Sequence, residues 1–261
     1  MASKSSTFDT RHLGFTSLTT PPGYNPKLNK GLKRGYASLI LHLAPARLSG
    51  YEVCRARTAG CTASCLNTAG HGGIVKRGDT TNEVQRARIA RTKLFFQDRP
   101  TFATILIREI ETHIRRARKH GLTPVVRLNG TSDLPWEVVK LRDGLTVFEL
   151  FPDVTFYDYT KVVKRALRYV AGEMPANYSL TFSLAESNRE DALAVLAAGG
   201  NVAAVFLHGL PAQWAGVPVV DGDTDDLRFL DPRGCVVGLK AKGKAKRDTS
   251  GFVLDGAPRA A

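Results

Sequence analysis

The chain of 261 residues contains no apolar run approaching the ~20 residues needed to span a bilayer. Its opening, MASKSSTFDTRHLGF, also lacks the apolar stretch of a signal peptide, so a cytoplasmic protein is expected. Cysteine is sparse, with four residues, and three of these fall in one short segment, leaving only Cys235 to pair elsewhere. A disulfide framework is therefore not expected. In a reducing compartment clustered cysteines bind metal or do redox chemistry instead. Six histidines form no HExxH pair, and no GxSxG elbow, GxGxxG turn or Walker sequence is present. These absences remove ordinary hydrolase chemistry and the common glycine-rich phosphate turns. Acidic residues are outnumbered, 24 to 37, giving a formal charge of +13. The excess sits in PKLNKGLKR, in Arg86 to Lys93, in HIRRARKH and in KAKGKAKR. It fits either an anionic partner, with nucleic acid or a nucleotide foremost, or a solvated basic face.

A hydrophobic share of 43% is enough to bury one substantial core. Residues 1–35, rich in Ser, Thr, Pro, Gly and Lys, read as a flexible basic lead-in. Residues 36–255 read as a single domain, and 256–261 as a tail. Within the domain one pattern recurs: a short apolar run, a polar cluster, then a helical segment. ASLILHLA, TPVVRL, VTFYDY, YSLTFS, NVAAVFL, VPVVDGD and CVVGLKA are the apolar runs. Thr80 and Glu83 predict a capping box for a helix to about Gln97 that Pro100 ends, and a second helix spans roughly Phe102 to His120 with Gly121 as its stop. A further helix is predicted to open at Pro135, and others at KVVKRALRYVAG and REDALAVLAAGG. Strands alternating with helices predict parallel βαβ units. Nearly every strand ends in residues able to do chemistry, which favours an α/β fold of the TIM-like (β/α) barrel kind, partial or complete, with six to seven parallel strands and the cysteine loop after the first.

That loop, CRARTAGCTASC, places Cys54, Cys61 and Cys65 in a C-x6-C-x3-C array, with His71 six positions further on. Thiolates are soft ligands, suited to iron-sulfur clusters, zinc or copper(I). Zinc would take all four residues, although its sites usually present pairs two to four residues apart. A four-iron (4Fe-4S) cluster would take the three thiolates and leave one iron open. Asp133 at a strand end suits either an ammonium ligand or a helix N-cap before Pro135. Arg127 interrupts an apolar run, so it is either paired at the strand ends or faces a carboxylate or phosphate. Asp158 and Lys161 in YDYTK are substrate-binding candidates, with a surface helix-start lysine as the alternative. Asp221, Asp223, Asp225 and Asp226 lack the full calcium-loop pattern and read as a polar turn more readily than a cation site. Tyr157, Tyr159, Phe182 and Trp136 would serve core packing or stack on a base.

A three-cysteine loop after the first barrel strand resembles the radical S-adenosylmethionine superfamily, although the usual spacing there is C-x3-C-x2-C and the residue after Cys65 is Leu66 rather than an aromatic. The resemblance implies a cluster on Cys54, Cys61 and Cys65 and S-adenosylmethionine held by Asn129, Gly130, Thr131, Ser132 and Asp133. By position it also implies Ser183 and Glu186 at the cofactor ribose, and an external electron donor. Whole phrases, LAPARLSGYEVC, GCTASCLNTAG, VQRARIARTKLFF, RLNGTSDLPWE and FYDYTK, are similar to a family of phages and plasmids labelled gene product eighty-eight. This second resemblance implies a mobile-element setting and carries no established reaction. The expectation is a radical S-adenosylmethionine-like iron-sulfur enzyme. The alternative is a non-catalytic, zinc-stabilised nucleic-acid-binding protein.

Overall fold

Seven apolar runs form parallel strands in the computed structural model, which describes residues 9–23, 26–76 and 78–256, apart from the side chains of residues 26 and 27. The tail beyond residue 256 and the first eight residues of the lead-in lie outside the described residues. The strands are β1 (Tyr36–Leu41), β2 (Thr123–Arg127), β3 (Thr155–Thr160), β4 (Tyr178–Ser183), β5 (Val202–Phe206), β6 (Val217–Asp221) and β7 (Val236–Lys240). Burial on both faces explains why β1 to β5 and β7 read as nearly continuous apolar runs instead of alternating ones, whereas β6 is only partly covered. From β1 to β5 the sheet follows chain order, and β7 then lies between β5 and β6.

The fold is thus α/β with a largely parallel sheet, and among the described residues the sheet is not closed. Both edges that a barrel would join are already paired: β1 with an antiparallel strand at Thr19–Thr20, and β6 with another at Gln213–Trp214. Strand pairing satisfies an edge only once, so closure has no free ladder to use. A late strand, Val253–Leu254, pairs with Val205 and Phe206 of β5, just past the point where β4 pairs with Val202 and Ala203. This late strand thereby lies beside β5 past the end of β4.

Helices α1 (Glu83–Gln97) and α2 (Arg99–Lys119) cover one face. Their residues Phe95, Phe102, Leu106 and Ile110 share a core with Leu39, Leu41, Val126 and Phe156. The helix starts differ from the expected ones for local reasons. Asn82, not Thr80, caps α1, accepting from the Gln85 amide while its own amide group binds the carbonyls of His71, Gly72 and Ile74. Pro100 does not end a helix but sits in the first turn of α2, which Asp98 caps. Gly121 does stop α2, in a left-handed conformation (φ 67°). Helices α3 (Val163–Val170) and α4 (Arg189–Ala197) flank β4. The helix predicted at Pro135 is only a 3-10 turn, Trp136–Val138, followed by a small hairpin.

The opposite face is filled by the segment around a 3-10 turn, Arg228–Leu230. Leu227 packs on Val125 and Tyr157, and Phe229 lies against Tyr36 and Tyr157. The described residues before β1 are likewise in contact with the domain. Phe15, Leu18 and Leu28 are buried, and Glu109 of α2 accepts from the amides of Leu18 and Thr19 and from the Thr19 hydroxyl.

Candidate functional site

The carboxyl ends of β1 to β4 gather most of the residues that the sequence singles out. After β1 the loop turns back on the β2 loop: Gly130 N donates to Leu41 O, Thr131 Oγ1 to Leu43 O and Asp133 N to Val53 O. Only glycine fits at position 130, because a Cβ there would lie 2.7 Å from Ile40 Cγ2 and 2.8 Å from Leu41 O. The result places Cys54 beside the β2 loop, its Sγ 3.9 Å from Thr131 O. Cys61 rides on a short helix, Ala59–Ala63, whose N-cap Thr58 accepts from the Cys61 amide. Glu186, beyond β4, accepts from Thr58 Oγ1 at 2.7 Å and from Gly60 N at 2.6 Å, tying this helix to the strand ends. Gly60 packs directly on Ser250 and Phe252, so the terminal segment closes over the same helix.

The three thiols lie within electrostatic reach of one another. Burial pushes the Cys54 thiol up to about 12, and Cys65, Asp133 and Cys61 push in the same direction. Burial also raises Cys65, with Cys61 adding to the shift and Arg88 and Lys161 opposing it. Lys161 lies at the end of β3, donates to Ser183 Oγ at 2.7 Å and stands over the Phe252 ring. Arg88 of α1 donates to Asn67 Oδ1, while its buried Nε has no hydrogen-bond partner among the described residues. His42, next after β1, is held neutral, down at about 3, by burial and then by Arg88, Arg127 and Arg91.

This donor set suits a thiophilic metal or cluster: soft ligands on one loop, and an unpaired guanidinium N–H beside them to receive negative charge. Metal binding would have to displace the thiol protons that burial retains. Among the described residues, no three or more His, Cys, Asp or Glu side chains are drawn into a ready metal-holding group. His71 lies exposed on a separate 3-10 turn, Gly70–Gly73.

Other candidates are committed to the fold. Asn129 is buried, with its side chain bound to Leu134, Ser132, Trp136 and Asp158. Asp158 accepts from Asn129 N and Tyr178 Oη, and burial raises its carboxyl to about 7. Asp133 accepts from Lys161 N and ion-pairs with Arg165 at 2.6 Å, and Arg165 also grips Glu137 through two 2.8 Å bonds. Arg127 ion-pairs with Asp226 and lies over the Tyr159 ring. Asp225 meets Arg34 and Arg228, and Asp223 meets Lys242, so the acidic turn is balanced by the chain's own cations. Trp136, Tyr157 and Phe182 are fully buried core residues. The sequence reading passed over His42, Arg88 and Arg165. His42 had a visible signal, as a polar residue directly after the first apolar run, whereas Arg88 and Arg165 look like any helix-surface arginine.

Fold and site together define an α/β protein with a largely parallel sheet and a cysteine-bearing mouth at its strand ends. The chain belongs to the Gene product 88 family, whose model matches residues 16–256. No curated protein and no solved structure matches it. No helix among the described residues is long and apolar enough to cross a membrane.

Proposed function

We propose that the chain is a radical S-adenosylmethionine-like iron-sulfur enzyme built on a partial (β/α) barrel and working in the cytoplasm of a phage or plasmid host. One observation supports the reading: Cys54 Sγ lies 3.9 Å from Thr131 O, Lys161 acts electrostatically on Cys65 and bonds Ser183, and Glu186 bonds the helix bearing Cys61, all at the ends of four successive parallel strands. When bound, a four-iron cluster reloaded by an external electron donor would supply the electron that cleaves S-adenosylmethionine reductively. Cys54, Cys61 and Cys65 would hold it, and Arg88 and Lys161 would offset the negative charge of the thiolates. Glu186 fixes the helix bearing Cys61. The β2 loop contributes mainly Gly130 and Thr131, since Asn129 and Asp133 are occupied in holding that loop to β3 and α3. Phe252 of the terminal segment lies beside Lys161 at these strand ends.

The test is anaerobic incubation of iron- and sulfide-reconstituted protein with S-adenosylmethionine and a chemical reductant. Deoxyadenosine and methionine are expected from the wild type and not from C54S, C61S or C65S. A reconstituted wild type that yields neither would overturn the proposal. The zinc-stabilised, non-catalytic reading would take His71 as a fourth ligand, and His71 lies exposed on a separate 3-10 turn.

A further inference from the structure

The geometry points to a nucleic acid as the occupant of the mouth, its phosphodiester backbone held by a basic rim centred on the 3-10 turn Gly243–Arg247. The substrate of the cysteine site is then a nucleotide unit within a polymer, an inference that rests on the reading above. The turn is seated on the 3-10 turn Leu66–Thr68 and on Ala69, which directly follow the cysteine loop. Gly243, in a left-handed conformation (φ 57°), packs so closely that a Cβ would meet Ala69 Cβ at 3.3 Å. Ala245 is buried beneath the turn, while Lys244, Lys246 and Arg247 are exposed. Arg55, beside Cys54, and Lys76, beyond the glycine-rich turn, are also exposed. Among the described residues none of these five cations has a carboxylate partner.

The acids near the loop are already engaged. Glu52 takes Arg47 and Arg57, Glu186 takes the Thr58 hydroxyl and Gly60 amide, and Asp133 takes Arg165. Asp248, next to Arg247, accepts from Ser64, Ser250 and Val253 and offsets one charge, so the rim keeps a net positive charge from Lys244, Lys246, Arg247, Arg55 and Lys76. A single small anion needs no such span, whereas a strand of phosphates does. The turn directs no apolar side chain outward, which favours phosphates over acyl chains as its contact.

The test is fluorescence anisotropy on the full chain with labelled oligomers of about 20 units, as single-stranded DNA, single-stranded RNA and duplex DNA, across a salt series. The three arms distinguish the source of the backbone. The triple variant K244A/K246A/R247A, its fold verified by circular dichroism, is expected to bind roughly ten- to hundredfold more weakly at low salt. Its salt slope should fall by about 2 on single strands or about 3 on duplex. Unchanged affinity and slope would overturn the inference. So would binding to phosphatidylserine vesicles in the absence of binding to any oligomer. Iron and sulfide measured on the same preparation separate the two readings: oligomer binding by metal-free protein leaves the rim standing and counts against the cluster, and iron without oligomer binding does the reverse.

Discussion

Replacing Glu186 by alanine should loosen the cysteine loop more than any other single change outside it. Its carboxylate accepts two short bonds, from Gly60 N at 2.6 Å and Thr58 Oγ1 at 2.7 Å, which tie the helix Ala59–Ala63 to the end of β4. A hydrogen bond to a charged group contributes about 1.5–3 kcal/mol, and the half-buried position of Glu186 argues for the low end. Two such bonds give about 3 kcal/mol, or roughly a hundredfold in the opening equilibrium of the loop. Native-state hydrogen exchange reads this directly. The amides of Gly60, Cys61 and Ser64 should exchange about a hundredfold faster in E186A, with E186Q between the two because it keeps one acceptor oxygen. Protection of these amides equal to that of the wild type would refute the claim that Glu186 anchors the cysteines.

Three further outcomes follow from the same geometry. G60A forces a Cβ to within 2.8 Å of Phe252 Cβ and into Ser250, and should lower stability by about 1–3 kcal/mol in urea titration. R165M leaves the Asp133 and Glu137 carboxylates nearly buried without their partner, at a cost of about 3–5 kcal/mol, and the triple change D133N/E137Q/R165M should recover part of it. Asp158 ionises at about 7 in the fold against 3.8 in the unfolded chain, so its contribution is fully present below pH 3.8 and is lost as pH rises through 7. The stability of D158N relative to wild type should therefore rise by about 1.4 kcal/mol per pH unit across that window, a comparison in which the opposing titration of His42 cancels; a flat difference would contradict it.

The strands were legible because a parallel sheet buried on both faces leaves short Val-, Ile- and Phe-rich runs, and each run named from sequence corresponds to one of β1 to β7. Their order at the far edge was not legible. NVAAVFL, VPVVDGD and CVVGLKA read alike, and the insertion of β7 beside β5 depends on contacts such as Gly238 against Val219 and Leu210, which no periodicity announces. Closure was beyond reach for a similar reason, since two-residue strands at Thr19–Thr20 and Gln213–Trp214 are too short to leave a pattern. Soft-ligand clustering and placement at strand ends are what single out the cysteines, Thr131, Lys161, Ser183 and Glu186 in the sequence. Arg127 and Asp158 have the same residue types in the same positions, but their roles depend on partners 99 and 20 residues away, Asp226 and Tyr178.

The most direct measurement on the central claim is metal and sulfide analysis of anaerobically purified protein, with an absorbance scan across the sulfur-to-iron charge-transfer region. About four irons and four sulfides per chain are predicted, falling sharply in C54S, C61S and C65S and unchanged in H71A. Stoichiometric zinc with no labile sulfide would contradict the account.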